Sequence, residues 1–470
     1  MVKNLENHKA QGPDKIKNEL IKNLPKEAVE HLCRIFNLSF KSGSFPPVWN
    51  NADIVPIPKP GKDHTKVTNY RPIAISSCLG RVFEKVLANR LQDWLTFNHI
   101  FHNLQCGFQA NRACEDIITI LLADAYACLD GGNTCSVISF DFQKAYDSVW
   151  HSGLIHKLYF TYGMRGNFLQ TMSSFLSTRH IRVKSGNLTS GWKHQKIGLP
   201  QGSCLSPVLF ILYTNDFKLP PEAQGNILVG TFADDTVMWQ RPTPHPHRDR
   251  LLQESINKFY NYTLMWKLQL NPTKSAAINF SANIEEKQPE WEINKTKINN
   301  VDTMRYLGVW LDRKFTFEEH VKQVVRRASG DIAKLARLIT NKFQLAPTTI
   351  VRLYLARTRP KIEYGLNLYV NSEKTLEKLN KIQNKFLRLA FRAARHTPID
   401  ILQMCSTVPP FELRRNLLLL RFCARLMYCN QYHPLYNHRY QVNTLWHQRT
   451  SRNLPTKFSN KLPIKKKSKN

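Results

Sequence analysis

Long apolar runs are missing from this sequence. No stretch reaches the eighteen or so apolar residues that a membrane-spanning helix needs. The longest candidates, 208–213 and 417–420, fit core elements instead. The opening MVKNLENHKAQGPDK lacks the apolar segment of a secretory signal. Ten cysteines are scattered among apolar neighbours and form no C-x-x-C pair. A reducing compartment is therefore expected, without a disulfide framework. Cys423, Cys429, His433 and His438 gather near the C-terminus, but their spacing matches no standard zinc-ligand pattern. No G-x-x-x-x-G-K-[ST] occurs, so a triphosphate would not be held by a P-loop. No internal repeat is visible. Acidic residues are also scarce, 35 Asp and Glu against 67 Lys and Arg, which leaves a net charge of +32. Such an excess suits a polyanion, either an anionic membrane surface or, the expectation here, nucleic acid.

What is present is a folded chain of 470 residues, 42% hydrophobic, with nine tryptophans. Residues 1–50 are polar, with Leu20, Ile21, Leu24, Val29, Leu32 and Ile35 at helical spacing. The stretch ADIVPIPKPGKDHTKVTNYRPIAIS mixes strand-like residues with prolines and a basic loop. Helices are predicted over 79–95 and over 114–129, the second ended by Gly131-Gly132. Residues 135–312 alternate short β runs with helices, which predicts a mixed α/β unit around a sheet. From about 313 the pattern is helical and basic, and it closes on KLPIKKKSKN.

Three segments of the α/β part carry chemistry. In SVISFDFQKAYDSVW, alternation puts Val137, Ser139 and Asp141 on one strand face and Ile138, Phe140 and Phe142 on the other. In GTFADDTVMW, Ala233, Asp234 and Asp235 are predicted to form a hairpin turn, where Asp is tolerated. Clustered carboxylates repel, and a hard divalent cation relieves that repulsion. Two such ions about 3.5–4 Å apart form the clamp of in-line phosphoryl displacement. In GLPQGSCLSPVLFILYTNDF, Pro200-Gln201-Gly202 make a tight loop whose glycine allows close backbone approach to a ligand. Ser206 then reads as an N-cap before Pro207 at the first helical position. Lys59, Lys62 and Arg71 are placed to neutralise phosphates from a mobile loop, Arg71 by a two-pronged contact.

These segments resemble, in order and along nearly the whole chain, the reverse transcriptase of non-LTR (LINE-type) retrotransposons, most of all the jockey-like group. GPDKIKNELIKNLP, VPIPKPGKDHTKVTNYRPIAISSCLGRVFEKVLANRL and CGFQANRACEDII are similar to the fingers blocks. ISFDFQKAYDSVWHSGLIHKL resembles motif A, GLPQGSCLSPVLFILYTNDF motif B and TFADDTVMW motif C. LQLNPTKSAAINF resembles motif D and YLGVWLDRKFTFEEHV the primer grip. RPKIEYG and KLNKIQNKFLRLAFRA resemble the thumb region.

The resemblance implies an α/β (α+β palm sheet) right-hand polymerase of fingers, palm and thumb. The expected division is an N-terminal fingers extension over 1–39 and a reverse transcriptase domain over 40–312. A helical thumb and post-thumb region follows over 313–400, then a basic C-terminal extension over 401–470. It implies RNA-directed DNA synthesis, with dNTPs added to a DNA primer on an RNA template. Asp141, Asp234 and Asp235 are implied as ligands of two Mg²⁺ ions, with Mn²⁺ as an alternative. Tyr146 falls at the steric gate that selects dNTPs, and Gln201 and Gly202 fall against the incoming nucleotide. Lys59 and Arg71 fall on its phosphates, and Phe142 and Gln143 offer backbone N–H groups to them. Lys274 falls at the motif D general acid, whereas Asp147 is expected to start a helix or bond within the core. Such elements act in the nucleus, with a cytoplasmic ribonucleoprotein stage. They also carry an upstream endonuclease, for which no motif is found here, so a truncated copy or fragment is expected. Two rival readings are a group II intron-type reverse transcriptase with a maturase role and a decayed copy that only binds RNA.

Overall fold

The strand Cys135–Phe140 is apolar on both faces, and in the computed structural model it lies at the centre of the main sheet. The structure describes residues 1–436 apart from 244, 282–287, 341–344, 369–372 and 430. His438 and the basic tail KLPIKKKSKN therefore lie outside the described residues. Cys135–Phe140 pairs antiparallel with Asp235–Gln240 on one side and Ala276–Phe280 on the other. Ile227–Phe232 continues the sheet past Asp235–Gln240, and Asn299–Asn300 runs parallel to Ala276–Phe280 at the far edge.

The two faces are buried against different partners, as the alternation predicts. Val137 joins Ile117, Leu121 and Ile278 in one core, under helix Cys114–Asp130. Ile138 and Phe140 join Leu251, Ile256 and Phe259 of helix Arg248–Met265 in another. Each such side chain fully buried contributes about 1.5–3 kcal/mol. The strand is thereby fixed in register, and the residue that follows it is fixed with it.

A second sheet is built from the proline-rich stretch. Asn51–Pro58 pairs antiparallel with Tyr70–Ser76 and parallel with His180–Ser185. Pro56 stands opposite Pro72, so the two prolines share one rung of the ladder. The expected mobile loop between these strands is cross-tied. Asp63 accepts from the Thr65 N–H and hydroxyl, Asn69 Nδ2 donates to the Asp63 carbonyl, and the Tyr70 hydroxyl donates to the His64 carbonyl.

The two predicted helices form at Cys78–Phe97 and Cys114–Asp130, with Gly131 capping the second. Beyond the hairpin of Thr303–Tyr306 and Val309–Asp312 the chain is helical, as predicted. Glu318–Thr340, Pro347–Arg357 and Glu373–Ala390 put Val321, Ile350 and Phe386 into the same core as Val137. The expected division after residue 400 falls inside the helix Ile399–Ser406. Phe411 and Phe422 of the last described helix, Phe411–Met427, also join that core. Among the described residues no helix is long and apolar enough to cross a membrane.

Candidate active site

The acids occupy the end of the central strand and the hairpin beside it. Phe140 pairs with Thr236, and Phe232 pairs with Asp235. The turn is therefore Ala233-Asp234 alone, with Ala233 at φ +58°, and Asp235 is the first residue of the returning strand. This corrects the expected placement of both acids in the turn. Continuing the strand register past Phe140 sets Asp141 across from Asp235, on one face of the sheet. Like charges directly opposite each other destabilise a sheet. Accordingly, burial first and then the Asp141 charge push the Asp234 carboxyl up. Burial, Asp234 and Asp141 push Asp235 up, against Arg305. Asp141 is also raised by burial, against Lys274 and Lys59.

The hairpin is braced by the segment before helix Cys114–Asp130. The Cys106 N–H donates to the Thr231 carbonyl and the Thr231 N–H to the Leu104 carbonyl, each at 3.0 Å. A Cβ on Gly107 would lie 2.6 Å from the Ala233 nitrogen, so only glycine fits under the turn. The motif resemblance of this segment carries no sign of its role as a brace, because its partners lie more than 100 residues away.

In front of the acids opens a cavity of about 1190 Å³. It is lined by Lys59, Arg71, Phe142, Gln143, Tyr146, Gln201, Gly202 and Asp234, which joins every expected nucleotide contact to one carboxylate. Asp141, Asp235 and Lys274 lie outside this lining. Lys274 Nζ is 4.0 Å from Asp141 Oδ2. Lys59 Nζ donates to the Thr68 carbonyl at 3.0 Å, and its charge acts on Asp141 and Asp147. Tyr146 stacks on Phe210 with centroids 4.8 Å apart, and burial together with the Asp234 charge raises its hydroxyl pKa. Lys267 lies 3.9 Å over the ring of Trp150, and both line the cavity. This pair, far apart in sequence, gave no prior signal.

Several expected roles change. The Gln143 N–H donates to the Gln269 carbonyl at 2.8 Å and is not free for a phosphate. Phe142 sits opposite Leu270 at the non-hydrogen-bonded position of that ladder, so its N–H is left outside it. Gly202, at φ +117°, is needed for protein packing: a Cβ there would lie 2.9 Å from the Ala74 carbonyl oxygen. The Gln201 carbonyl accepts from the Ala74 N–H at 2.7 Å, and Gln201 Nε2 donates to Asp147 Oδ1 at 3.0 Å. Asp147 lies in the short helix Tyr146–Ser148 and, like its partner Gln201, lines the cavity, so it does not bond within the core. Ser206 is no N-cap, because helix Ser206–Thr214 begins with it and its hydroxyl donates to the Pro200 carbonyl at 2.8 Å. Near the C-terminus, His433 lies 3.4 Å from Asp116 Oδ2, and Cys429 Sγ contacts the Leu426 carbonyl.

Among the described residues no three His, Cys, Asp or Glu side chains converge closely enough to hold a metal ion alone. A few mutually repelling carboxylates beside a cation-lined cavity fit Mg²⁺, which completes its shell with water and substrate phosphates.

The sequence pattern of the family described as reverse transcriptase (RNA-dependent DNA polymerase) matches residues 57–311, the stretch that builds this site. The chain belongs to the reverse transcriptase family. Among curated proteins, this reverse transcriptase chain is 29% identical over 393 residues to the RNA-directed DNA polymerase from mobile element jockey of Drosophila funebris, covering 83% of this chain and 43% of that protein. It is 28% identical over 386 residues to the probable RNA-directed DNA polymerase from transposon X-element of Drosophila melanogaster, covering 82% and 42%. The chain thus spans less than half the length of these relatives. Among solved structures, apo telomerase from Candida tropicalis matches with a TM-score of 0.41 at 14% identity, over 64% of this chain and 61% of that one.

Proposed function

We propose that this chain is an RNA-directed DNA polymerase of a non-LTR retrotransposon, adding dNTPs to a DNA primer 3′ end on an RNA template. The observation that carries the reading is Asp141 at the end of the central strand, its charge acting on both Asp234 and Asp235, with Asp234 in the turn lining a cavity that also holds Lys59, Arg71 and Tyr146. Asp141, Asp234 and Asp235 would hold two divalent cations, Mg²⁺ for preference. Bound there, the cations supply a lowered pKa for the primer hydroxyl and neutralisation of the charge that develops at phosphorus.

The chain's own groups do the rest. Lys59 and Arg71 bind the triphosphate, Arg71 by its planar fork. The Phe142 N–H adds a donor, in place of the Gln143 N–H, which is spent on Gln269. Tyr146, held flat against Phe210, excludes a ribose 2′-hydroxyl from the cavity floor. Gln201 and the loop that carries it contact the base or sugar of the incoming nucleotide. Lys274, on the open side beside Asp141, gives a proton to the departing pyrophosphate. The net charge of +32 steers the template–primer, so binding weakens steeply with salt. A nuclear site of action belongs to the same proposal.

Primer extension on poly(rA)/oligo(dT) with Mg²⁺ tests the reading. dTTP incorporation is expected, and template–primer binding with no incorporation would overturn it.

A further inference from the structure

Two buried charges in the described residues have no part in the site as drawn so far. Glu84, on helix Cys78–Phe97, and Arg179, just before strand His180–Ser185, are both 0% exposed. Burying ions is costly unless their hydrogen bonds are made for a purpose. An apolar pair would fill the same volume more cheaply.

Glu84 bonds one end of the loop 198–206 directly, and Arg179 reaches the other end through Gln195. At its far end, Glu84 Oε2 accepts from Ser203 Oγ at 2.5 Å and from the Cys204 N–H at 3.1 Å. Ser203 Oγ also accepts from the Leu205 N–H at 3.1 Å, which tightens the turn into helix Ser206–Thr214. At the near end, Arg179 Nε donates to Gln195 Oε1 at 3.3 Å. Gln195 Nε2 in turn donates to the Ile197 and Gly198 carbonyls, each at 3.1 Å. Arg179 is itself held by Asn50 Oδ1 at 2.7 Å. Asn50 Nδ2 is fixed on the Phe175 carbonyl and Thr178 Oγ1, both at 2.8 Å. Each charge also acts on the other: Glu84 offsets part of what burial costs Arg179, and Arg179 does the same for Glu84. Between the two ends lie Gln201 and Gly202, which line the cavity.

We infer that Glu84 and Arg179 are positioning residues: they clamp the loop 198–206 from both ends and so set the affinity for the incoming dNTP rather than the rate of phosphoryl transfer. The inference rests on the polymerase reading above. The loop bonds to Tyr146, Asp147 and Val149 rather than to Asp141, Asp234 or Asp235. Loosening it therefore displaces the nucleotide contact while leaving the carboxylates in register.

Steady-state primer extension with varied dTTP tests this, together with fluorescence anisotropy of template–primer binding. Glu84→Ala loses both loop bonds, and the KM for dTTP is expected to rise about tenfold with kcat changed less than about threefold. Glu84→Gln keeps an acceptor for Ser203 and Cys204, so it recovers most of that loss. Template–primer Kd stays within about twofold of wild type in both. If Glu84→Ala fails to fold, Ser203→Ala carries the test. It removes the bonds of Ser203 Oγ to Glu84 and to the Leu205 N–H while the Cys204 N–H still bonds Glu84, and KM is expected to rise about threefold. An active wild type whose variants keep its KM, or lose template–primer binding to the same extent, overturns the inference alone. A wild type that binds template–primer but incorporates nothing overturns the polymerase reading and this inference with it.

Discussion

Lys274 Nζ stands 4.0 Å from Asp141 Oδ2, with both side chains open to solvent at the edge of the cavity. The loop that carries Lys274 is tied to the same aspartate through the backbone. The Asn271 N–H donates to the Asp141 carbonyl at 2.8 Å, and the Asp141 N–H donates to Ser275 Oγ at 3.2 Å. The ammonium is thus delivered to the acids by main-chain bonds rather than by its own long stem. Lys274→Ala is expected to lower single-turnover incorporation by about 10²-fold with little change in template–primer affinity. Rapid-quench kinetics beside an anisotropy titration checks both halves. An undiminished rate would remove the proton-donor role.

Tyr146 lies flat on Phe210, which fixes its ring against the cavity wall. Tyr146→Ala should raise the use of rNTPs relative to dNTPs by about 10–100-fold, because nothing then fills the space of a 2′-hydroxyl. Tyr146→Phe keeps the ring and should keep the discrimination. The ratio of kcat/KM for dTTP and UTP on one template gives the answer. Equal ratios in wild type and Tyr146→Ala would exclude the gate.

Arg425 grips the buried Asp116 with two bonds of 3.1 and 2.6 Å, which ties helix Phe411–Met427 to the start of helix Cys114–Asp130. Burial raises the Asp116 carboxyl, but bonds from His433 and Arg425 overcome it and leave the group lowered. A lowered acid contributes stability above its ordinary value of 3.8 and loses it as pH falls through the folded value. Arg425→Ala is expected to cost about 2–4 kcal/mol in urea unfolding at neutral pH. The loss should shrink on acidification as pH falls below 3.8 and through the lowered folded value, where Asp116 becomes neutral in the wild type. A variant as stable as wild type would show that the C-terminal helix docks without this pair.

Lys157 is fully buried, donates to Asp216 Oδ1, the Tyr213 carbonyl and the Tyr262 hydroxyl, and lies 3.9 Å from the Trp266 ring. Burial pulls its pKa down to about 8, against Asp216. The unfolded chain then binds more protons than the folded one between about 8 and 10.5, so this group's contribution to stability rises with pH across that window. The unfolding free energy of wild type minus that of Lys157→Met should therefore grow from pH 8 to 10. A difference flat across that window would mean that Lys157 titrates normally.

Much of the fold was legible because it is local. The alternation of 135–140 predicts the doubly buried strand, and apolar spacing predicts helices Cys78–Phe97 and Cys114–Asp130, the second of which covers one face of that strand. Asp141 and Asp234 come from the same kind of pattern, a strand end and a hairpin turn. Asp235 was misplaced by one position, since turn length depends on which residues pair, and only the partner strand decides that. The remaining differences are all long-range. Gly202 serves Ala74, Ser203 serves Glu84 across 119 residues, and Lys267 covers Trp150. None of these pairings has a periodic signature.

The carboxylate cluster is the centre of the account, and one substitution addresses it. Asp234→Asn removes one of three mutually repelling charges while keeping the shape of the side chain. The raised Asp234 carboxyl makes the metal-free wild type less stable at neutral pH than a neutral residue would, so the variant should melt higher without Mg²⁺. It should also gain less than wild type from added Mg²⁺. In single-turnover primer extension on poly(rA)/oligo(dT) it should incorporate dTTP more than about 10²-fold slower. Incorporation at the wild-type rate by Asp234→Asn would contradict the assignment of these acids to the chemistry.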